Sequence, residues 1–336
     1  MFAAGLRDLP PALGIDWVAG PGAALLLLFA LALDWLIGDP RWLPHPVRAI
    51  GAATGFLDRK LNRPARGERN LVVRGVVTVL VIAGGAAGIG AVVSAIAAAI
   101  PYGWTIELVL AALMLAQRDL FDHVRRVGVA LRRDGLTGGR KAVGRIVGRD
   151  VAVLDEHGVA RAAVESCAES YGDGVVAPAF WYLLLGLPGL FAFKAISTMD
   201  SMIGHETPRH RAFGMAAARL DDAVNWLPAR LAGVLLALAG LFVPGGSVTQ
   251  GLRIMLRDHG KHRSPNAGWT EAAAAGALGL ALMGPRRYDG EISADPWLGD
   301  GRARATEADI RRVLYLHVAA CLLLAMIVAI IAAFVG

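Results

Sequence analysis

Residues 165 to 173, ESCAESYGD, space Glu165, Glu169 and Asp173 four apart and lead directly into an uncharged apolar run. On an α-helix that spacing lays three carboxylates along one face, where like charges one turn apart repel by about 0.2–0.5 kcal/mol per pair. Something positive should answer them. Arginine partners on an ordinary helix face would suffice. Alternatively the oxygens hold Mg2+ or a cationic substrate group, since hard divalent ions take carboxylate ligands and bridge to phosphates.

Other polar clusters repeat the question. KAISTMDSMIGHE, 194–206, offers Lys194, Asp200, Ser201, His205 and Glu206, while RLDDAVNWLPAR, 219–230, sets Asp221 and Asn225 at i, i+4 with Asp222 alongside. The His205-Glu206 pair lacks the second histidine of a zinc-protease helix, and Asp200-Ser201 can equally cap a helix. In GDPRWLPHPVRAIG, 38–51, three prolines make a rigid turn, which positions His45 as a structural residue or as a proton carrier. The two cysteines, Cys167 and Cys321, lie far apart and share no ligand spacing with histidine, so neither a disulfide framework nor a zinc site is implied.

The elements that must position these residues are apolar helices. The chain has 336 residues, 55% of them hydrophobic, and a mean hydropathy of +0.51. Residues 75–101 carry no charge, and 313–336 set only His317 against apolar side chains. Either is long enough to cross a hydrocarbon core of about 30 Å at about 1.5 Å per residue. Weaker candidates are 20–38 (interrupted by Asp34), 103–117 (by Glu107), 174–193 and 231–250, while 272–284 is too short and reads as a buried or interfacial helix. The segment 20–38 ends in a signal-peptidase-like ALALD, but its leader carries Asp8 and Asp16 against Arg7, so it reads as a retained helix.

Charge then orients the spans. The basic stretches 58–74 and 118–149 flank the uncharged turn 101–103, which places the two basic stretches on the cytoplasmic side and the turn outside. Three spans thus precede a cytoplasmic helical region, 118–173. Pro178, Gly186, Pro188 and Gly189 break the 174–193 segment: a full crossing would put 197–224 on the face opposite 118–173, whereas a re-entrant pair of half-helices, the favoured form, keeps both on one face. The expected fold is all-α: a single integral domain, 1–336, multi-pass in the cell (inner) membrane, with membrane lipid around it. A net charge of +6 and a pI near 9.7 would suit nucleic acid, yet no basic stripe interleaved with aromatics is present, so no nucleic-acid partner is expected.

Five ordered blocks carry a resemblance: DWLIGDPRWLPHPVRAIG, RDVAVLDEHGVARAAVESCAESYGDGVVAPAFW, FKAISTMDSMIG, AARLDDAVNWLPARL and HRSPNAGWTEAAAAGALG. They look like the signature blocks of the CobD/CbiB family, membrane-bound adenosylcobinamide-phosphate synthases of cobalamin biosynthesis, and extend from about residue 30 to residue 290. The resemblance implies ATP- and Mg2+-dependent amide formation between adenosylcobyric acid and aminopropanol or its O-phosphate, with other cobalamin-assembly enzymes as further partners. It carries site roles onto His45, Arg149, Asp150, Glu165, Glu169, Asp173, Asp200, Ser201, Asp221, Asp222, Asn225, Ser264 and Asn266. Glu165, Glu169, Asp173 and Asp200 are the metal candidates, with Arg118 and Lys194 as phosphate contacts. Two positions depart from the family pattern, Ser170 and Ser197, where asparagine is usual, which bears on the amine accepted. A competing class is the AmpE-like regulatory membrane protein, a non-catalytic sensor, which has no evident need of these acid blocks together. A transporter is disfavoured because the longest spans are almost free of ionisable residues.

Overall fold

The computed structural model describes residues 20–39, 45–148, 150–205, 207–288 and 291–335. Among them the order is α1 (Ala23–Ile37), α2 (Pro46–Leu61), α3 (Glu68–Ala99), α4 (Trp104–Met114), α5 (Gln117–Val143), α6 (Glu156–Tyr171), α7 (Ala177–Ile203), α8 (Met215–Ala239), α9 (Val248–Asp258), α10 (Ala267–Leu278) and α11 (Glu307–Val335). Among the described residues sheet amounts to two antiparallel ribbons, β1 (Leu282–Met283) with β4 (Trp297–Leu298) and β2 (Arg286–Tyr288) with β3 (Glu291–Ser293), and one isolated bridge, Leu280 to Arg302. The all-α expectation holds.

Among the described residues four helical stretches are long and apolar enough to cross a membrane: Glu68–Ala99, Glu156–Ile203, Met215–Phe242 and Glu307–Phe334. The chain is a multi-pass membrane protein. The first and third expected spans differ from the reading, because α1 has 15 residues and α4 has 11. At about 1.5 Å per residue they reach roughly 22 and 16 Å, short of a core of about 30 Å. Gly38, with φ 69°, ends the first, and the extended Leu115 ends the second. Apolar composition alone overstated their length. The 272–284 segment does form a short buried helix, α10, whose side chains are enclosed apart from a partly exposed Trp269.

The chain forms two compact units, one from Met1–Leu115, Pro178–Asp221 and Ala325–Gly336, the other from Ala116–Ala177 and Asp222–Leu324. In the first, α1 lies against α4 with Gly20 beside Trp104, and the acid inside α4 is satisfied: Glu107 accepts a 2.9 Å hydrogen bond from the Tyr182 hydroxyl. Asp58 on α2 ties down the loop after α7, bonding Arg209 at 2.6 Å and Asn62 at 2.9 Å, with His210 Nε2 at 3.3 Å.

The expected break in 174–193 falls at Gly186, whose φ of 63° and ψ of −153° lie in a region open almost only to glycine. The chain reverses there. A Cβ on Gly189 would lie 2.6 Å from the carbonyl oxygen of Trp181, eight residues earlier, a separation no straight helix allows. Gly135 in α5 does the same (φ 64°, ψ −159°), and a Cβ on Gly138 would lie 3.1 Å from the Ala130 oxygen. Gly-Leu-Thr-Gly at 135–138 and Gly-Leu-Pro-Gly at 186–189 are therefore equivalent hairpin corners, one in each unit.

The second unit has a charged hub outside the spans. Asp258, fully buried at the end of α9, receives Arg257 at 2.7 Å through both oxygens, Lys261 at 2.7 Å and the Gly299 amide at 2.8 Å. Burial pushes its carboxyl up, but these donors together outweigh burial and hold the pKa well below the ordinary 3.8. A carboxyl depressed in the folded state contributes stability that is complete above its unfolded pKa and is lost as pH falls towards the folded one. The stability gap between the parent and Asp258→Asn should accordingly be constant from pH 8 to about pH 5 and close below about pH 4, as read by thermal melts in detergent. At the corner, Gly186→Ala should cost about 1–3 kcal/mol in the same melts, whereas Gly85→Ala, in open space on α3, should be neutral or stabilising by up to about 1 kcal/mol.

Candidate functional site

α6 starts where the Asp155 carboxylate accepts the Gly158 amide at 2.7 Å. Its next polar residues grip the segment that leads into α11. His157 bonds the Ala305 carbonyl at 2.9 Å, Arg161 donates to the Ala303 carbonyl at 3.1 Å, and the Arg161 guanidinium lies 5.1 Å from the Trp297 ring centroid. Glu165, 2% exposed, accepts the Met283 amide at 2.6 Å and faces Arg161 at 3.9 Å. Met283 holds φ at 61°, an uncommon value for a residue with a side chain, so that carboxylate anchors a strained turn.

The acid face therefore divides. Glu165 is enclosed, Glu169 is exposed, and Asp173 is half-buried within a π-turn, Gly172–Val176, that joins α6 to α7. Parts of the second unit converge on that turn. The Ala116 amide donates to the Gly174 carbonyl at 3.1 Å, which brings the first turn of α5, and Arg118 with it, to the acid end. Arg118 is itself paired with Asp122 at 3.2 Å. Gly172 faces Thr270 of α10 and Ala232 of α8.

The SPNAG block builds the start of α10. Ser264 Oγ accepts the amides of Asn266 and Ala267, both at 3.2 Å, and the Ser264 amide donates to His262 Nδ1 at 2.9 Å. Asn266 Nδ2 donates to the Asp222 carbonyl at 3.0 Å, locking α10 to α8 one turn before the buried Asn225. Arg118, Glu169, Asp173, Asp222, Asn225, Ser264 and Asn266 thus belong to one unit, with Asn225 and Asn266 enclosed and Glu169 and Asp173 reaching solvent.

His45, Lys194, Asp200, Ser201 and Asp221 belong to the other unit. His45 caps α2: its Nδ1 accepts the Val47 amide at 3.2 Å, so Nε2 carries the hydrogen and donates to the Leu113 carbonyl at 2.7 Å. Both ring nitrogens are engaged, and proton transfer at His45 would require breaking one of these bonds. The Ser201 hydroxyl donates to the Ser197 carbonyl at 2.9 Å, while Asp200 and Lys194 are half-buried on α7. Asp150 is exposed and accepts the Ala152 amide at 2.9 Å, a local turn. Arg149 and Glu206 lie outside the described residues.

Several neighbours escaped sequence reasoning. Buried Glu271 lies 3.6 Å from His262 Nε2. The Arg230 guanidinium lies 3.9 Å from the Trp226 ring centroid and 4.6 Å from that of Trp269, which stacks on His259 at 3.8 Å. Burial and then the Arg230 charge lower the His259 pKa from 6.5, favouring a neutral imidazole at pH 7. Trp226 and Arg230 stand at i, i+4 in WLPAR, but no spacing rule joins them to His259, Trp269 and Glu271 in HGKHRSPNAGWTE. Among the described residues no three His, Cys, Asp or Glu side chains form a metal-holding group. Glu169 and Asp173 fit the other mode, in which Mg2+ takes one or two carboxylates and completes its shell with water and substrate phosphate.

A helical multi-pass protein with a carboxylate-bearing polar turn at the end of a membrane-capable helix is the class that these features define. Within that class the chain belongs to the CobD/CbiB family, whose description, CobD/Cbib protein, matches residues 27–317, and so to the enzymes of cobalamin biosynthesis of the inner membrane. It is 49% identical over 308 residues to the cobalamin biosynthesis protein CobD of Sinorhizobium sp, covering 90% of this chain and 95% of that one. The CobD protein of Rhizobium meliloti (strain 1021) is 48% identical, over 88% and 93% of the two chains, and that of Rhodobacter capsulatus 43%, over 88% and 92%. No solved structure matches.

The division of the acid face has a direct consequence. Glu165→Ala strips the Met283 amide and Arg161 of a buried acceptor and should cost about 2–4 kcal/mol in detergent unfolding, whereas Glu169→Ala should stay within about 0.5 kcal/mol of the parent.

Proposed function

We propose that the chain joins adenosylcobyric acid to aminopropanol or its O-phosphate through an amide bond, at the expense of ATP. The observation that supports this reading is that the π-turn carrying Asp173, one turn after the exposed Glu169, packs against Ala116 at the start of α5 and faces Thr270 of α10. A carboxylate is a poor electrophile and needs activation. In this reading the free propionate oxygen of the corrinoid attacks the γ-phosphorus, ADP departs with the electrons of the broken P–O bond, and an acyl phosphate results.

The amine nitrogen then attacks the acyl carbon and phosphate leaves. Glu169 or Asp173, within reach of water, takes the proton released by the nitrogen. Mg2+ would be held by whichever of the two carboxylates does not take the proton, and would supply neutralising charge at the transferring phosphoryl group. Arg118 is suited to phosphate oxygens by its planar pair of donors. The enclosed Asn225 and Asn266 belong to the wall, where a corrinoid's polar edge would meet them. The reading assigns Lys194, Asp200 and Ser201 to substrate charge on the strength of the family pattern. Ser170 and Ser197, shorter than the usual asparagine, bear on which amine is accepted.

Purified protein with ATP, Mg2+, adenosylcobyric acid and each amine should form the amide, detected by mass spectrometry with stoichiometric ADP. Glu169→Gln should lower turnover at least about 100-fold with an unchanged melting temperature, in the range expected for loss of a proton acceptor. Turnover within about threefold of the parent, a barrier change of roughly 0.65 kcal/mol, would assign Glu169 to a solvated face instead. Ligand binding without product in the parent would favour a sensor.

A further inference from the structure

Two polar atoms at the start of α10 are buried and have no hydrogen-bond partner: Oδ1 of Asn266 and Nε1 of Trp269. Both are held in place. Asn266 is 5% exposed and its Nδ2 is committed to the Asp222 carbonyl, which turns Oδ1 the other way. The Trp269 ring is stacked on His259 and lies against the Arg230 guanidinium, which also donates to the Trp226 carbonyl. That contact set fixes the indole plane, so its N–H cannot swing to a new acceptor without unstacking.

Positions 266 and 269 are three apart at the head of one helix and so lie on neighbouring parts of its surface. One is an acceptor and the other a donor. A buried orphan of either kind is costly, and natural proteins leave few of them unless a ligand or water completes the set. The group that answers both at once presents an N–H and a C=O on a single planar unit. That is a primary carboxamide.

We propose that Asn266 and Trp269 form a subsite that reads a carboxamide side chain of the substrate, with Trp269 N–H donating to its oxygen and Asn266 Oδ1 accepting from its nitrogen. The inference rests on the corrinoid reading above, because it names which part of that amide-bearing substrate the wall of α10 recognises. Arg230 and His259 act on it indirectly. They are positioning residues that hold the indole in plane.

Trp269→Phe tests the donor, since phenylalanine keeps an aromatic face for His259 and Arg230 and lacks the N–H. Removing an orphan donor relieves the empty protein and penalises the complex, so two readouts move in opposite senses. The ligand-free variant should melt at or above the parent's temperature in detergent. Its Kd for cobyric acid, measured by fluorescence or calorimetry without ATP or amine, should rise about tenfold, which corresponds to about 1.4 kcal/mol. The acceptor is tested from the ligand side: the parent should bind cobyrinic acid, in which carboxylates replace the carboxamides, at least about tenfold more weakly, because a carboxylate offers Asn266 no donor.

A Kd unchanged by Trp269→Phe would overturn the donor assignment, and so would a variant that melts well below the parent, since the N–H would then have a structural partner. Equal affinity for cobyric and cobyrinic acids would overturn the acceptor assignment. These binding readouts are independent of amide formation. Product without any Trp269 effect sinks the subsite alone, whereas Trp269-dependent binding without product sinks the synthase reading and leaves the subsite standing.

Discussion

One backbone hydrogen bond, from the Ala116 amide to the Gly174 carbonyl, carries the arrangement of the polar side of the second unit. In an apolar protein every amide released from a helical ladder must find an acceptor inside the molecule, because neither lipid nor core supplies one. The chain leaves helix between α4 and α5, and the π-turn after α6 places a carbonyl where the released amide can take it. A Cβ on Gly174 would touch that of Ala116 at 3.4 Å, so the two backbones pack in direct contact there. The same turn carries Asp173, so satisfying the backbone and presenting the acid are one event.

The long apolar runs were legible because uninterrupted hydropathy over more than twenty residues has few structural solutions. The 75–101 and 313–336 segments became α3 and α11. The short ones were not, since α1 and α4 show how an apolar run of span-like composition can be cut by a glycine at positive φ or by a single extended residue, neither of which changes hydropathy. The break at Gly186 was visible as a cluster of Gly and Pro. Its twin at Gly135 was hidden in a charged stretch, where helix-breaking residues read as loop.

The site divided along a different line. Spacing placed Glu165, Glu169 and Asp173 on one face correctly as far as a regular helix goes, but it says nothing of what covers that face. The partner of Glu165 is the amide of Met283, 118 residues away, and no local pattern announces it. His45 was found by its proline frame, and its capping role follows from an amide two residues on that sequence alone cannot orient. The Trp226, Arg230, Trp269 and His259 stack joins three elements through ring faces, a kind of contact with no spacing signature.

Four residues along α6 separate folding from chemistry. The charge of Glu165 is answered from within by Arg161 and an amide, so it adds little field at the end of the helix. Its repulsion of Glu169, expected from i, i+4 spacing, is largely cancelled by that pairing. Glu169 and Asp173, one turn on, reach solvent, so an incoming cation can approach them without displacing the Arg161 pair. The register of α6 against the 283–305 segment, fixed by His157, Arg161 and Glu165 together, therefore decides which acid can meet a ligand.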